Sequence, residues 1–179
     1  MALDWRLDLV RWHPRLFSVL AESADGSFGY PLCGRGWRDV LVGLCVGIEG
    51  ALRDRESFEF VRIRQKFGIL RADWRGEVSD GTGQAIMEAV NLAVGRSACT
   101  CEVCGAVGRL HRHRGWFATR CSQHAKGEPV PPRFGIVGTR AYRRRRGRPG
   151  IYYARYDRAT GALIEVEPRA FGQEDSTDG

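Results

Sequence analysis

The chain has 179 residues, of which 43% are hydrophobic and 27% charged, and its formal net charge is +7. That length covers one medium domain, or a domain with an appendage, and is enough to bury a core. No run of eighteen apolar residues is present, and the opening Met1-Ala2-Leu3-Asp4 carries an acid where a secretory leader carries base. The expectation is therefore a soluble, cytoplasmic protein with no membrane partner, whose six cysteines suit metal better than disulfides.

Leu3, Leu7 and Val10 fall one helical turn apart and predict a short amphipathic helix broken at His13-Pro14. Proline can restart a helix at its first position, with Leu16, Phe17, Val19 and Leu20 as a second apolar face. Residues 21–31 read as a loop. Trp37, Val40, Leu41, Leu44, Cys45, Ile48 and Leu52 follow the i, i+3, i+4, i+7 rule and predict a helix over 36–53. Cys45 lies on that stripe as a small buried hydrophobe, and Cys33, before the helix in Cys33-Gly34-Arg35-Gly36-Trp37, is read as packing.

Residues 58–65 and 69–75, rich in aromatic and branched side chains, read as a hairpin around Lys66-Phe67-Gly68. Phe60-Val61 is apolar on both faces, which marks an interior strand or a bulge, while Arg62, Arg64, Lys66 and Arg71 point outward. Residues 76–83 read as a polar loop. Ile86, Ala89, Val90, Ala93 and Val94 then form a helical stripe that ends at Gly95.

That helix runs almost directly into Cys101, Cys104, Cys121 and His124, spaced Cys-x2-Cys-x16-Cys-x2-His. Two such pairs suit a tetrahedral structural zinc ion, against the alternative of a disulfide or free thiols. Residues 108–114 and 116–120 read as strands around Gly115, a hairpin that carries the second pair back beside the first. This is a treble-clef or ribbon type of finger, with Pro129, Pro131 and Pro132 stopping any helix begun at Cys121. The short connection predicts that the finger docks on the body. Cys99 is a spare, since a Cys-x-Cys bite with Cys101 is tighter than the usual one.

Charge is unevenly placed: 12 basic and 13 acidic residues through Gly95, 15 against 3 from Arg96 to Arg158, and 1 against 5 beyond. Arg109, Arg112 and Arg114 lie close to Trp116 and Phe117, a mixture that can bind phosphates and stack on bases, although either ring could instead pack the hairpin onto the body. Beyond a stiff connector at 129–133, the basic segment 140–148, with Arg143-Arg144-Arg145-Arg146 uninterrupted, repels itself and is rarely structured alone. Residues 151–155 and 162–166 read as a second hairpin, and the acidic tail from Gln173 as disordered. The expected class is α+β: helices on a β-hairpin, an integrated finger and a C-terminal hairpin. The expected division is 1–98 for the body, 99–128 for the finger, 129–172 for the basic segment with its hairpin, and 173–179 for the tail.

Three blocks in order, Cys33-Gly34-x-Gly36-Trp37, Lys66-Phe67-Gly68-x-Leu70-Arg71, and Cys101-x2-Cys104-Gly105 to Gly115-Trp116-x2-Thr119-x-Cys121-x2-His124, resemble small uncharacterised zinc-finger proteins of bacteriophages and prophages. The resemblance spans residues 33–124 and implies a phage-related context and a zinc finger joined to an α+β body. The arginine run and the hairpin after it fall outside.

Three functions fit these residues. The first is a non-enzymatic, zinc-stabilised protein that binds nucleic acid or a nucleoprotein complex through Arg109, Arg112, Arg114, Arg143, Arg144, Arg145 and Arg146. The second is an inhibitor of host defence, such as an anti-CRISPR protein, acting by protein contact in the bacterial cytoplasm. The third is a metal-dependent nuclease, which needs a His base and an open metal position; His111 and His113 are present, but a Cys3His site is closed.

Overall fold

The computed structural model describes residues 4–18, 29–131, 140–143 and 151–167. The class is α+β, with helices α1 (Trp5–Trp12), α2 (Arg38–Ala51) and α3 (Asp80–Ser97) and three small sheets. In the first sheet β1 (Pro31–Leu32) runs parallel to β2 (Glu59–Lys66), which pairs antiparallel with β3 (Ile69–Arg75). Among the described residues no helix is long and apolar enough to cross a membrane.

The α2 stripe is buried as its periodicity requires: Val40, Leu41, Leu44, Cys45 and Ile48 face inward, and Trp37 in the preceding 3-10 turn is fully covered. They meet Phe60, Ile63 and Leu70 of the first hairpin and Ile86 and Ala93 of α3. The register slips between Phe60 and Arg62, so Val61 is the extra residue of a bulge and the doubly apolar stretch is explained.

Two helix boundaries differ from the sequence reading. No helix restarts at Pro14. Residues 14–16 form a turn in which the Leu16 N–H donates to the His13 carbonyl (3.0 Å), and Leu16 and Phe17 are still buried. Val19 and Leu20 lie outside the described residues. The polar loop at 76–83 is half helix: α3 starts at Asp80, with Ser79 as its cap accepting from the Thr82 N–H (3.4 Å). Glu56 holds that cap, accepting the Ser79 N–H at 2.8 Å, and backbone N–H groups of Arg53 and Ser79 hold its carboxyl down at about 2.

The second sheet is the finger: β4 (Arg109–His113) pairs with β5 (Trp116–Arg120) and, on its other edge, with β6 (Glu128–Pro129). The third joins β7 (Arg140–Arg143), β8 (Ile151–Asp157) and β9 (Ala162–Glu165). The C-terminal hairpin is thus the major part of a three-stranded sheet, because Arg140–Arg143, from the segment read as rarely structured alone, pairs with Ile151–Ala154. Tyr142 is buried against Gly95 of α3. Residues 144–150 and the tail from Gln173 lie outside the described residues.

Both long hairpins turn in two residues, Phe67-Gly68 and Arg114-Gly115, all four at positive φ (+52°, +78°, +48° and +82°). Such turns match the twist of the strands and favour Asn, Asp or Gly at the first position. Phe67 and Arg114 are costly there, by roughly 1 kcal/mol each.

Candidate metal centre

Cys101 leaves α3 through Thr100 and opens a tight turn in which the Cys101 N–H donates to the Ala106 carbonyl and the Gly105 N–H to the Cys101 carbonyl, both at 2.8 Å. Gly105 sits at φ +81°, the conformation that lets the chain reverse behind Cys104. Cys121 follows β5 directly and begins a second turn closed by the His124 N–H on the Cys121 carbonyl (3.1 Å). The β4–β5 ladder, with Arg109 opposite Arg120, sets these turns side by side.

Four donor atoms converge. Cys104 Sγ and Cys121 Sγ are 3.7 Å apart, Cys121 Sγ and His124 Nδ1 3.2 Å, and Cys101 Sγ and His124 Nδ1 3.8 Å. All four lie within 4.8 Å of one another, so together they can hold one metal ion. Burial alone would raise the Cys101 thiol, but N–H groups of Cys121, Cys104 and Val103 outweigh it and hold the group at about 6. A thiol so placed is poised to be the thiolate a metal needs. Cys101 and Cys121 are buried, His124 is half-buried and Cys104 is exposed.

The other cysteines are elsewhere. Cys33 is buried and pushed up to about 12 by burial and then by Glu102; burial also raises Cys45 and Cys99. The Cys99 thiol donates to the Arg96 carbonyl (3.3 Å), outside the metal cluster.

The cluster is built into the body. Gly34 and Gly36 lie so close to it that a methyl on Gly36 would stand 2.2 Å from the Cys101 carbonyl oxygen, and one on Gly34 2.3 Å from that of Glu102. The Gly36 N–H donates to the Glu102 carbonyl (2.8 Å), and the buried Trp37 indole N–H to the Thr100 carbonyl (2.8 Å). At the far side, the buried Thr119 hydroxyl donates to the Gly68 carbonyl (2.6 Å) and the Gln65 amide to the Phe117 carbonyl. The three sequence blocks are thus one contact surface: two grip the third. An open cleft of about 350 Å³ lies beside Cys104, with Arg35, Arg38 and Asp39 on its rim.

Glu102 is the single acid between Cys99 and Gly127. Its carboxylate turns inward, accepting from the Gly34 N–H (3.0 Å) and from the Arg120 guanidinium (2.8 Å). The outer surface is mostly basic: Arg109, Arg112, Arg114 and Lys126 are exposed, against one exposed acid, Glu128, which stands opposite Arg112 in the β4–β6 ladder. Trp116 is 80% exposed, whereas Phe117 is half-buried and meets Phe67 edge-on (6.3 Å between centroids). His111 is buried, its Nδ1 on the Arg109 carbonyl (2.9 Å); His113 is exposed at the tip. Arg143 ends β7 opposite Ile151, and Arg144, Arg145 and Arg146 lie outside the described residues.

Sequence reading missed the gripping role of Gly34, Gly36 and Glu102. The signal was present in two glycines flanking Arg35 just before a helix that needs neither, and in a lone acid within a basic stretch. Compared with known protein families, curated proteins and solved structures, the chain gives no match to any of them.

Proposed function

We propose that this is a non-enzymatic, zinc-stapled protein that binds nucleic acid, free or within a nucleoprotein complex, through the basic face of its finger. One observation carries the reading: of the finger's two acids Glu102 is consumed internally by Arg120 and Gly34, so that exposed Arg109, Arg112, Arg114 and Lys126 face a single outward acid, Glu128, and leave the surface with a net positive charge. Surface charge of one sign on a rigid element attracts the phosphate backbone and fixes its register. The resemblance of residues 33–124 to phage and prophage finger proteins supports a setting in the bacterial cytoplasm.

Zinc is the ion that suits the donors. A regular tetrahedron with zinc–sulfur bonds of about 2.3 Å has sulfur–sulfur edges of about 3.8 Å, and the Cys104–Cys121 separation is 3.7 Å. Three thiolates and an imidazole fill all four positions, the arrangement of a structural site, and zinc there supplies folding free energy and no reaction chemistry. The nuclease alternative lacks its open metal position for the same reason.

The test is a salt titration. Elemental analysis of freshly purified protein is expected to give one zinc per chain, and the affinity for oligonucleotide should fall steeply between low and moderate salt. Replacing Arg109, Arg112 and Arg114 together with Ala should make the log–log salt slope shallower by roughly 2 to 3, since each duplex phosphate contact contributes about 0.9. Affinity that does not change with salt would overturn the proposal.

A further inference from the structure

From the two hairpin tips we infer that the nucleic acid is engaged as a single strand, with unpaired bases stacked on Trp116 and Phe67 while Lys66, Arg112 and Arg114 take the flanking phosphates. The inference rests on the nucleic-acid reading above and names its substrate class.

The tip of the body hairpin docks on the flank of the finger hairpin, Gly68 against Leu110, Ala118 and Thr119, and Phe67 edge-on to Phe117, the residue next to Trp116. Thr119 and Gln65 fix the same junction from behind. Two large rings are left facing solvent there, Trp116 at 80% exposure and Phe67 at 62%. Lys66 lies over the Phe67 ring (5.5 Å), and His113 stands directly opposite Trp116 across the ladder. A cation over a ring and a bare indole beside arginines are the parts of a stacking platform. Every base offers a π-face to the ring and every nucleotide a phosphate to the cation.

The backbone points the same way. Among the described residues three non-glycines have positive φ, Arg55, Phe67 and Arg114, and two of them are in these two hairpin turns. Asn or Asp would fit either turn better, so a ring and a guanidinium stand where folding alone would choose neither. Positions that break a local rule are where a function is sought. A paired duplex hides its base faces, so exposed rings favour an unstacked strand. Phosphate contact alone would need the arginines but not the indole.

Fluorescence anisotropy with a labelled dT20 strand, a labelled rU20 strand and a 20-base-pair duplex, over the same series of salt concentrations for each probe, tests this. Either single strand should bind at least about 10-fold more tightly than the duplex. Trp116→Ala should weaken single-strand binding by about 10-fold or more, the usual loss for one stacked base. It should leave the salt slope unchanged, because no phosphate contact is removed. Arg114→Asn, with Asn-Gly in the turn, should raise the melting temperature, lower single-strand affinity and make the salt slope shallower by about 0.7. The exposed positions of both side chains mean that neither variant should compromise folding. Equal affinity for strand and duplex, or a Trp116→Ala variant that binds dT20 and rU20 as the parent does, overturns this inference and leaves nucleic-acid binding standing. Absence of binding to all three probes at low salt overturns both.

Discussion

The two ends of the finger are built on opposite terms. At the knuckle end, Cys101 is fully buried, two glycines let the body's backbone approach within hydrogen-bonding distance, and the only acid is spent on internal partners. At the tip, about one strand length away along β4 and β5, Trp116 is 80% exposed and Arg114 occupies a backbone conformation that suits it poorly. The same hairpin connects them, so rigidity made at one end is delivered to the other. Stability is concentrated where the chain touches the metal cluster, and the tip is left free to be chosen for what it touches.

The largest expected effect comes from breaking the knuckle end at its four converging donors, Cys101, Cys104, Cys121 and His124. Chelation, or Cys121→Ser, removes the tie between the two turns, and because Cys101 and Glu102 also carry backbone bonds to Gly36, the loss should extend into the body. Apparent metal contributions of about 10 kcal/mol in small zinc modules are as large as the typical stability of a whole domain. Far-UV circular dichroism should therefore show loss of structure in the finger. A finger that stays folded in chelator would mean that docking alone holds it. Next in size is Gly36→Ala, whose methyl would meet the Cys101 carbonyl at 2.2 Å and the Gly105 and Cys104 nitrogens within 2.7 Å. All three are backbone atoms, so nothing flexible can give way, and a loss of about 3 kcal/mol or more is expected in urea unfolding.

The same comparison explains which parts could be read from sequence. The candidate metal ligands and α2 announce themselves because both depend on spacing along the chain: a Cys-x2-Cys and a Cys-x2-His pair in one case, a 3.6-residue stripe in the other. The bulge at Val61 was legible from an apolar pair that no flat strand explains. Docking has no period. Gly36 and Glu102 meet across 66 positions of sequence through a backbone bond, and nothing local to either predicts the other. The start of α3 was hidden by Gly81 and Gly83, poor helix formers, which the Ser79 cap and the Glu56 carboxylate offset. β7 was hidden by charge. The basic segment 140–148 reads as self-repelling, yet its first four residues, Arg140–Arg143, gain a full ladder against β8 and a burial site for Tyr142, both supplied from elsewhere in the chain.

The smallest expected effect tests whether the knuckle end needs its acid as well as its metal. In Glu102→Gln the amide oxygen can still accept from the Gly34 N–H, so the grip on the body's glycine turn survives. The amide nitrogen cannot accept from Arg120, and a guanidinium whose side chain is 23% exposed loses its charged partner. Charge-assisted bonds of this kind contribute about 1.5–3 kcal/mol when buried, and partial exposure brings the expected loss to about 1 kcal/mol. A shift in the urea midpoint of that size, little reduced by 0.5 M salt, would place the pair with the docking contacts. A shift abolished by salt would instead put Arg120 with the outward-facing arginines Arg109, Arg112 and Arg114, and the finger would then present one more cation to a polyanion.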